Sequence, residues 1–336
     1  MNSAATATWA AGDGLSSGAD EKGVIGAVRS KQALQAAIRG GGRAVLVVNT
    51  RSRKGRRHWP GLPARLAAAG LPVQATFAIH DPADLPEILT RALQPAPDLL
   101  LFGGGDGSLT AAAARLAHRD TALGVLPLGT TNNFARSLGM PMRLTGAIAA
   151  LAAGKVADVD LARAGPDVFA NMASIGLSVQ VAQAVPHRLK RVLGRGAYSL
   201  TAARHLPGHR AFKATLRVDG AEQVVWTHQL NIANGGHHAG RRIARDAGVD
   251  DRLLVVYRLG DAGRLHVTAQ TARQVVVGPR RPLSHGPFVT TGQVWVDTDP
   301  PLALDLDGEV RGRTPVRITL LPQALRVLVP QGFADT

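Results

Sequence analysis

The sequence predicts an α/β N-terminal domain with a mostly parallel, doubly wound sheet, followed by a C-terminal β-rich domain that is antiparallel and sandwich-like. Between residues 41 and 153, short apolar runs alternate with helical patterns, which is typical of parallel sheets. After Gly154, strand patterns follow one another with turns between them. The 336 residues suffice for two domains of about 100–200 residues each. We therefore predict a flexible tail at 1–40, a first domain at 41–150 and a β-rich domain at 151–336.

The first domain is defined by apolar runs bounded by turn residues and by amphipathic stretches between them. The predicted strands are 43–48, 72–77, 98–102 and 122–126. The predicted helices are 62–69, 82–93, 108–118, 131–138 and 144–153. The tail is rich in Ala, Gly and Ser, with one candidate helix at 23–38.

The β-rich half contains eight predicted strands and two predicted helical stretches. The strands are 156–161, 168–172, 211–218, 223–234, 252–259, 293–297, 302–307 and 315–321. The helical stretches lie near 178–205 and 262–275. Short strands separated mostly by turns favour antiparallel pairing in this half of the chain.

Composition excludes several kinds of chemistry. The chain has no cysteine, which excludes disulfides, Cys-ligated zinc and thiol catalysis. The net charge of +15 favours anionic partners, which include nucleic acid, an acidic membrane surface and phosphorylated small molecules. An Arg-, Ala- and Gly-rich composition could also reflect a GC-rich genome, so charge alone does not decide between these partners. We expect a cytoplasmic protein, because the N-terminus lacks a secretory pattern and no apolar run reaches about 18 residues.

A glycine-rich turn follows the third predicted strand, in the sequence Leu99-Leu-Leu-Phe-Gly-Gly-Gly-Asp-Gly-Ser108. Glycines let the backbone approach a phosphate closely, and the following helix offers free N–H groups. We expect Ser108 to be the N-cap and Asp106 to hold a metal–phosphate or to accept a hydroxyl proton. The alternative is a turn that merely packs tightly. The motif is neither a Walker A sequence nor the dinucleotide-binding fingerprint.

The fourth strand ends in a second polar turn, within Leu126-Pro-Leu-Gly-Thr-Thr-Asn-Asn-Phe-Ala-Arg136. Because the carboxyl ends of parallel strands meet at one edge of the sheet, we expect the two turns to form one polar cleft. The alternative is that Thr130 to Asn132 only cap the next helix.

Together these segments resemble the catalytic domain of the diacylglycerol kinase and sphingosine kinase superfamily. Its Gly-Gly-Asp-Gly-Thr and Pro-Leu-Gly-Thr-x-Asn-Asp-Phe-Ala-Arg motifs are similar to residues 104–108 and 127–136. The resemblance continues at 169–176, at Ile232-Ala-Asn-Gly235, at 242–254 and at Leu306-Asp-Gly-Glu309, and covers about 43–330.

The resemblance implies an ATP- and Mg²⁺-dependent lipid kinase. Its candidate catalytic residues are Glu309 as the general base, Asp307 beside it, and Asp106 as a competing base. The resemblance implies that Asp251 and the backbone of Gly248 and Leu253 form a structural magnesium site. It implies nucleotide contacts at Asn49, Arg53, Thr76, Gly104, Gly105, Asp106, Gly107, Ser108, Leu109, Thr110, Gly129, Thr130 and Asn132. Apart from it, a carboxylate pair could deprotonate a lipid hydroxyl while magnesium neutralises the transferred phosphoryl group, and Asp307-Gly-Glu309 could equally be a plain hairpin turn.

The sequence also departs from the family pattern at several places. The first phosphate loop, Asn-Pro-x-Ser-Gly in the family, is Asn49-Thr-Arg-Ser-Arg53 here, so a glycine-dependent turn has become cationic. The Asn-Glu usual after the glycine turn is Thr110-Ala111, which removes a carboxylate. Asn133 and Arg252 replace a usual Asp and Gly. These changes fall in the segments of the nucleotide and magnesium sites.

A basic stretch at 186–218 carries eight Lys or Arg residues and no acid, with apolar residues interleaved. It suits peripheral contact with an anionic membrane surface, where the lipid substrate would lie; the alternative is an ordinary solvated helix. Nucleic acid is not an expected partner, because aromatics for base stacking are scattered. A homodimer is left open. Two alternative functions also remain, an NAD kinase-like enzyme and a catalytically inactive lipid- or nucleotide-binding regulator.

Overall fold

The computed structural model describes residues 29–184, 210–238, 241–242, 247–259 and 288–335. Its N-terminal half alternates strands and helices as the sequence predicts. The elements are α1 (Lys31–Arg39), β1 (Ala44–Asn49), α2 (Arg53–His58), α3 (Leu62–Ala68), β2 (Ala75–Ile79), α4 (Leu85–Leu93), β3 (Leu99–Gly104), α5 (Asp106–Leu116), β4 (Ala122–Pro127), α6 (Asn133–Ser137) and α7 (Leu144–Ala152).

The strands of this half form a parallel sheet in the order β2-β1-β3-β4. Strands β1, β3 and β4 are almost entirely buried apolar runs, as expected for strands covered on both faces. The chain adds β2 on one side of β1 and β3 on the other, so the winding of the sheet changes direction between β1 and β3. The carboxyl ends of β1 and β3 therefore lie side by side at one edge of the sheet. That edge is where ligands of open α/β sheets bind.

The C-terminal half is built mainly of strands. Its elements are β5 (Lys155–Ala164), β6 (Asp167–Phe169), β7 (Met172–Gly176), α8 (Leu177–Ala184), β8 (Phe212–Val218), β9 (Ala221–Thr227), β10 (Gln229–Ala233), β11 (His237–His238), β12 (Arg241–Arg242), β13 (Leu254–Leu259), β14 (Val289–Thr291), β15 (Gln293–Asp299), β16 (Ala303–Leu306), β17 (Glu309–Arg313) and β18 (Val316–Val329). One antiparallel sheet runs β14-β13-β10-β7-β16-β17. A second apolar core lies between this sheet and strands β5, β8, β15 and β18.

The last strand joins the two halves of the molecule. The first part of β18 pairs with β15, and its second part pairs with β4 in the parallel direction, through Val327 and Leu328. Strand β5 runs antiparallel to almost the whole of β18. The chain therefore returns to the first sheet after the β-rich half is complete. The predicted fold class, a parallel α/β domain followed by an antiparallel sandwich, is confirmed.

Several element bounds differ from the sequence expectations. Strand β18 runs eight residues beyond the predicted end at 321, and the segment predicted as one strand at 223–234 is two strands that turn at His228. Helix α2 was not predicted. Most of the predicted helix near 178–205, the helix near 262–275 and most of the basic stretch lie outside the described residues. The predicted domain limits stay a prediction; helix α1 lies within the predicted tail and packs on β5.

Candidate functional site

Three turns meet at the carboxyl edge of the parallel sheet, after β1, β3 and β4. Side chains of each turn bond to another turn, so the three form one polar surface. The bonds run from Asn49 Nδ2 to Ser108 Oγ (3.0 Å), from Ser52 Oγ to the Leu128 carbonyl (3.3 Å) and from Thr131 Oγ1 to Asp106 Oδ2 (2.6 Å). The polar cleft expected from the two strand ends is therefore present in the structure, with a third turn added.

The glycine-rich turn is packed directly against the turn after β4. A Cβ on Gly129 would lie under 3.0 Å from Gly105 Cα and 2.7 Å from Asn132 Oδ1. Asn132 holds the Gly129 peptide at both ends, because its Oδ1 accepts from the Gly129 N–H (2.9 Å) and its Nδ2 donates to the Gly129 carbonyl (3.1 Å). These glycines allow close approach, and neither takes a left-handed conformation.

Helix α5 begins two residues earlier than expected, at Asp106. The N-cap is Gly105, so the prediction that Ser108 caps this helix is wrong. Strand β3 continues through Gly104 before the chain turns, which leaves room for a single cap residue. Ser108 instead lies in the first helical turn and accepts the bond from Asn49. Leu109 is buried in the core, so only its backbone is near the cleft.

Asp106 is a buried carboxylate whose two oxygens are both engaged. Oδ2 accepts from Thr131 Oγ1 (2.6 Å), and Oδ1 accepts from the Phe134 N–H (3.2 Å). Asp106 thus caps the N-terminus of α6 from a neighbouring helix. Burial raises the pKa of Asp106 above its ordinary value, and the two hydrogen bonds oppose that rise.

The Asp307-Gly308 pair forms a two-residue hairpin turn between β16 and β17. Both residues have positive φ, 53° and 97°, as a type I′ turn requires. The hairpin carries Glu309, the first residue of β17, onto the glycine-rich turn: a Cβ on Gly107 would lie 3.2 Å from Glu309 Cδ and under 3.0 Å from its Oε1. Residues about 200 positions apart in the sequence therefore share one site.

Asp307 is buried and accepts four hydrogen bonds. The donors are Thr110 Oγ1 (2.8 Å) and the backbone N–H groups of Ala170 (2.7 Å), Asn171 (3.0 Å) and Met172 (2.9 Å). Burial raises the pKa of Asp307, while these donors lower it. The carboxylate ties α5 to the segment between β6 and β7, and thereby fixes the hairpin that carries Glu309.

The turn after β1 is cationic and is held by its own polar side chains. Thr50 donates from Oγ1 to the Ile79 carbonyl (2.9 Å), and Ser52 accepts from the Gly55 N–H (2.9 Å) as the N-cap of α2. Arg53 is exposed at the start of this helix, beside further exposed Lys and Arg residues. The turn that lost the family's glycine therefore keeps a defined shape, with its cations directed to solvent.

Not every predicted nucleotide contact lies at this edge. Thr76 is opposite Leu46 in the β1–β2 register, three residues before Ile79 at the strand end, which is about 10 Å along a strand. The family resemblance alone implied a nucleotide contact at Thr76, and that contact stays a prediction. Thr130 is exposed at the cleft, and Gly104 lies at the end of β3.

Sequence reasoning missed two residues that organise the cleft, Ser52 and Thr131. Ser52 joins the first turn to the third, and Thr131 joins the third to Asp106. Ser52 carried a signal, because Ser is among the residues preferred at the N-cap of a helix. Thr131 lies in the same hydroxyl- and amide-rich turn as Thr130, and nothing in the sequence distinguishes the two.

The predicted magnesium residues form a compact turn before β13. Asp251 accepts from the Gly248 N–H (2.7 Å) and the Leu253 N–H (3.0 Å). Burial raises the pKa of Asp251, and the nearby carboxylates of Asp160 and Asp250 raise it further. Carboxylate oxygens are the type of ligand that Mg²⁺ prefers, and the neighbouring negative charges would be neutralised by a divalent cation. Among the described residues, however, there is no cluster of three or more His, Cys, Asp or Glu side chains able to hold a metal.

In the described part of the chain, no helix has the length and apolar character needed to cross a bilayer. The predicted location and peripheral membrane contact therefore stay predictions.

Two family models match the chain in sequence. Residues 43–164 match the diacylglycerol kinase catalytic domain, and residues 171–329 match the YegS C-terminal NAD kinase beta sandwich-like domain. The first match contains the glycine-rich turn and the turn after β4, and the second contains Asp307 and Glu309. The two matched segments therefore each contribute one side of the cleft.

Curated relatives and solved structures agree with these matches. The chain is 33% identical over 74% of its length to a probable lipid kinase YegS-like protein of Pseudomonas putida, covering 83% of that protein. It is 27% identical over 87% of its length to a diacylglycerol kinase of Staphylococcus saprophyticus, covering 97% of that protein. A putative diacylglycerol kinase from Bacillus anthracis shares the fold, with a TM-score of 0.71 at 22% identity, covering 87% of this chain and 96% of that one. The chain belongs to the diacylglycerol kinase family, in its YegS-like lipid kinase branch.

Proposed function

We propose that this protein is an ATP- and Mg²⁺-dependent lipid kinase that phosphorylates a hydroxyl of a diacylglycerol-like or sphingoid lipid. The observation that carries the proposal is the position of Glu309, whose carboxylate lies against Gly107 in the glycine-rich turn. A proton acceptor beside a phosphate-binding turn is what transfer to a hydroxyl needs. The names of the relatives supply the class of acceptor.

The nucleotide would bind at the three turns of the carboxyl edge. Gly105 has no side chain to cover the backbone before α5, and α5 directs its N-terminal N–H groups and partial positive charge to the cleft. Asn49 borders the cleft from the first turn and Thr130 from the third, and the exposed Arg53 would have to reach the phosphates from the start of α2. The fit to a phosphate rests on the N-terminus of α5, which follows a turn without side chains at Gly104 and Gly105.

Among the three candidate bases, Glu309 is the one with an oxygen free to accept. Asp106 and Asp307 are buried, and each of their oxygens already accepts at least one hydrogen bond. The Glu309 side chain is 48% exposed, and within the described residues its Oε1 makes no hydrogen bond. We assign Glu309 as the general base, and Asp106 and Asp307 as residues that position the turns around it.

Magnesium would supply charge neutralisation on the transferred phosphoryl group. Asp251, with backbone groups of Gly248 and Leu253, would hold a separate structural ion. The Asp251 carboxylate is a suitable type of ligand, but the two N–H groups donate to that carboxylate and cannot bind a cation themselves. A site there would have to use the carbonyl oxygens of the same turn.

The test is phosphate transfer from radiolabelled ATP to lipids in mixed micelles, with diacylglycerol and sphingosine in parallel. We expect one labelled phospholipid from the wild type and a loss of about 100-fold or more in kcat for Glu309→Gln, in the range of general base catalysis. Glu87→Gln is the matched control, because Glu87 is exposed on α4. If the wild type labels no lipid, or if Glu309→Gln keeps full activity, the proposal fails.

An NAD kinase-like activity is the second candidate, because the model matching residues 171–329 is described by its likeness to the NAD kinase sandwich. That likeness concerns the β-rich half alone, while residues 43–164 match the diacylglycerol kinase model. Formation of NADP from NAD and ATP would favour this candidate. Tight binding of nucleotide or lipid without any turnover would favour an inactive regulator. Peripheral membrane binding and a homodimer are further predictions, to be tested by vesicle sedimentation and by light scattering.

A further inference from the structure

Glu309 does not stand alone on β17. Residues two apart on a strand share a face, so Arg311 lies beside it. Arg311 Nη2 donates to Glu309 Oε2 at 2.6 Å, and Arg311 Nε donates to the same oxygen at 3.2 Å. Both contacts use Oε2, which leaves Oε1 directed at Gly107.

Arg311 is itself held on its other side. Its Nη1 lies 3.3 Å from Asp167 Oδ1, at the start of β6. The hydrogen bond with Glu309 raises the pKa of Arg311 above its ordinary value, with Asp167 contributing in the same direction. A guanidinium anchored at both ends is restrained more than an exposed side chain usually is, because each bond removes rotamer freedom from the chain.

These three side chains form the polar wall of a cavity of about 260 Å³ between α5 and the β6 and β17 segments. Helix α5 lines the same cavity with the small side chains of Ala111 and Ala114 and with Thr110. Because Glu309 is half exposed at the cavity, its carboxylate would sample several rotamers without a partner. The ion pair selects the one in which Oε1 stays near the glycine-rich turn.

We infer that Arg311, anchored by Asp167, is a positioning residue that fixes Glu309 for proton acceptance from a lipid hydroxyl in the adjoining cavity. The inference rests on the proposed function of Glu309 as base. Its competitor is that Arg311 binds an anionic or carbonyl group of the acceptor lipid directly. The two hypotheses predict different kinetics. Loss of a positioning residue lowers kcat, whereas loss of a group that binds the substrate equally in the ground state and the transition state raises KM.

The first experiment measures lipid phosphorylation by the full chain carrying Arg311→Gln. We expect kcat to fall about tenfold with the KM for ATP and lipid unchanged, because small displacements of a reacting group are costly. Arg311→Lys should recover part of the loss. In a Glu309→Gln background the same change should have no further effect, since both act through one carboxylate. Arg313→Gln is the control, because Arg313 is on the same strand but donates to the Pro301 carbonyl (3.1 Å).

The second experiment detects the ion pair between Arg311 and Glu309 by NMR, independently of enzyme activity. The chain contains only four glutamates, Glu21, Glu87, Glu222 and Glu309. Carboxyl-¹³C glutamate labelling therefore gives four signals, each assignable by substitution to Gln. Arg311→Gln should shift the Glu309 signal and leave those of Glu87 and Glu222 in place.

The outcomes distinguish a failure of the proposed lipid kinase function from a failure of the positioning role of Arg311. If the wild type phosphorylates no lipid, the proposed function fails, and the positioning role fails with it. If the wild type is active but Arg311→Gln keeps its kcat or raises only the KM for lipid, the positioning role alone is overturned. An unmoved Glu309 signal also overturns it, whatever the activity.

Discussion

Gly107→Ala offers the sharpest separation of stability from activity in this molecule. Gly107 is the second residue of α5 and has no left-handed φ, so its backbone accepts alanine without strain. What the new Cβ would meet is the Glu309 carboxylate, with Oε1 under 3.0 Å away and Cδ at 3.2 Å. The substitution therefore tests the contact between the glycine-rich turn and the candidate base.

The structure sets the size of both effects. Ordinary contact begins at 3.4 Å, so the carboxylate must retreat by on the order of 1 Å, and a displacement of that size can reduce rate by about 100-fold. The retreat itself should cost little stability, because the Glu309 side chain is 48% exposed and its carboxylate can move toward solvent. Replacing a helical glycine by alanine gains about 0.5 kcal/mol from the unfolded state. We expect kcat to fall about 100-fold while the melting temperature stays level or rises slightly.

The assay pairs lipid phosphorylation with thermal unfolding and a nucleotide titration. The titration matters because Gly107 also lies in the proposed phosphate-binding turn, and a lost ATP affinity would indicate that cause instead. Gly61→Ala is the matched control, since a Cβ there would meet nothing within 4 Å. In a Glu309→Gln background, Gly107→Ala should cost nothing further. Wild-type kcat in Gly107→Ala would refute the role given to the Glu309 position, as would a loss that multiplies with that of Glu309→Gln.

Three further changes test the supports of the site. Thr110→Val removes one donor to buried Asp307 and should lower the free energy of unfolding by about 1.5 kcal/mol in urea titrations; an unchanged midpoint would contradict this. Gly129→Ala drives a Cβ into Gly105 Cα and should cost about 2 kcal/mol by the same measurement, unlike the tolerated Gly107→Ala. Asp106→Asn tests pH dependence: the raised folded-state pKa means that folding stabilises the protonated acid, so the wild type should lose stability relative to the variant as pH rises above 3.8. Equal pH slopes in parallel denaturant series would rule that out.

The fold could be predicted largely because each strand of the first sheet has a recognisable local sequence pattern. Buried parallel strands read as apolar runs, and β1, β3 and β4 were located within two residues. Strand β2 is the exception, since it lies at the edge of the sheet and is only partly buried. The sequence placed its end at residue 77, two residues short of Ile79. The return of β18 to β4 could not be predicted, because pairing across 200 residues leaves no local pattern.

The site was predictable in its parts but not in its assembly. The glycine-rich turn, the Gly129 turn and the Asp307-Gly308 hairpin each had recognisable residues. What no local pattern carries is which of three carboxylates keeps a free oxygen. That depends on burial and on donors from distant segments, such as the Met172 N–H on Asp307 and the Phe134 N–H on Asp106. The three carboxylates can therefore be distinguished only in the folded structure and not from the sequence.

A closed chain of contacts explains why two of the carboxylates are buried at all. Asp106 begins α5 and caps α6; Ser137 at the end of α6 donates to Asn171 Oδ1 (3.0 Å); the Asn171 N–H donates to Asp307; and Asp307 accepts from Thr110, one turn along α5. The ring returns to the helix on which it began, and it crosses between the two halves of the molecule twice. Burying these acids costs free energy, as their raised pKa values indicate. The ring offsets that cost with hydrogen bonds that hold the hairpin over the glycine-rich turn, so the position of the exposed Glu309 depends on two buried carboxylates and their donors.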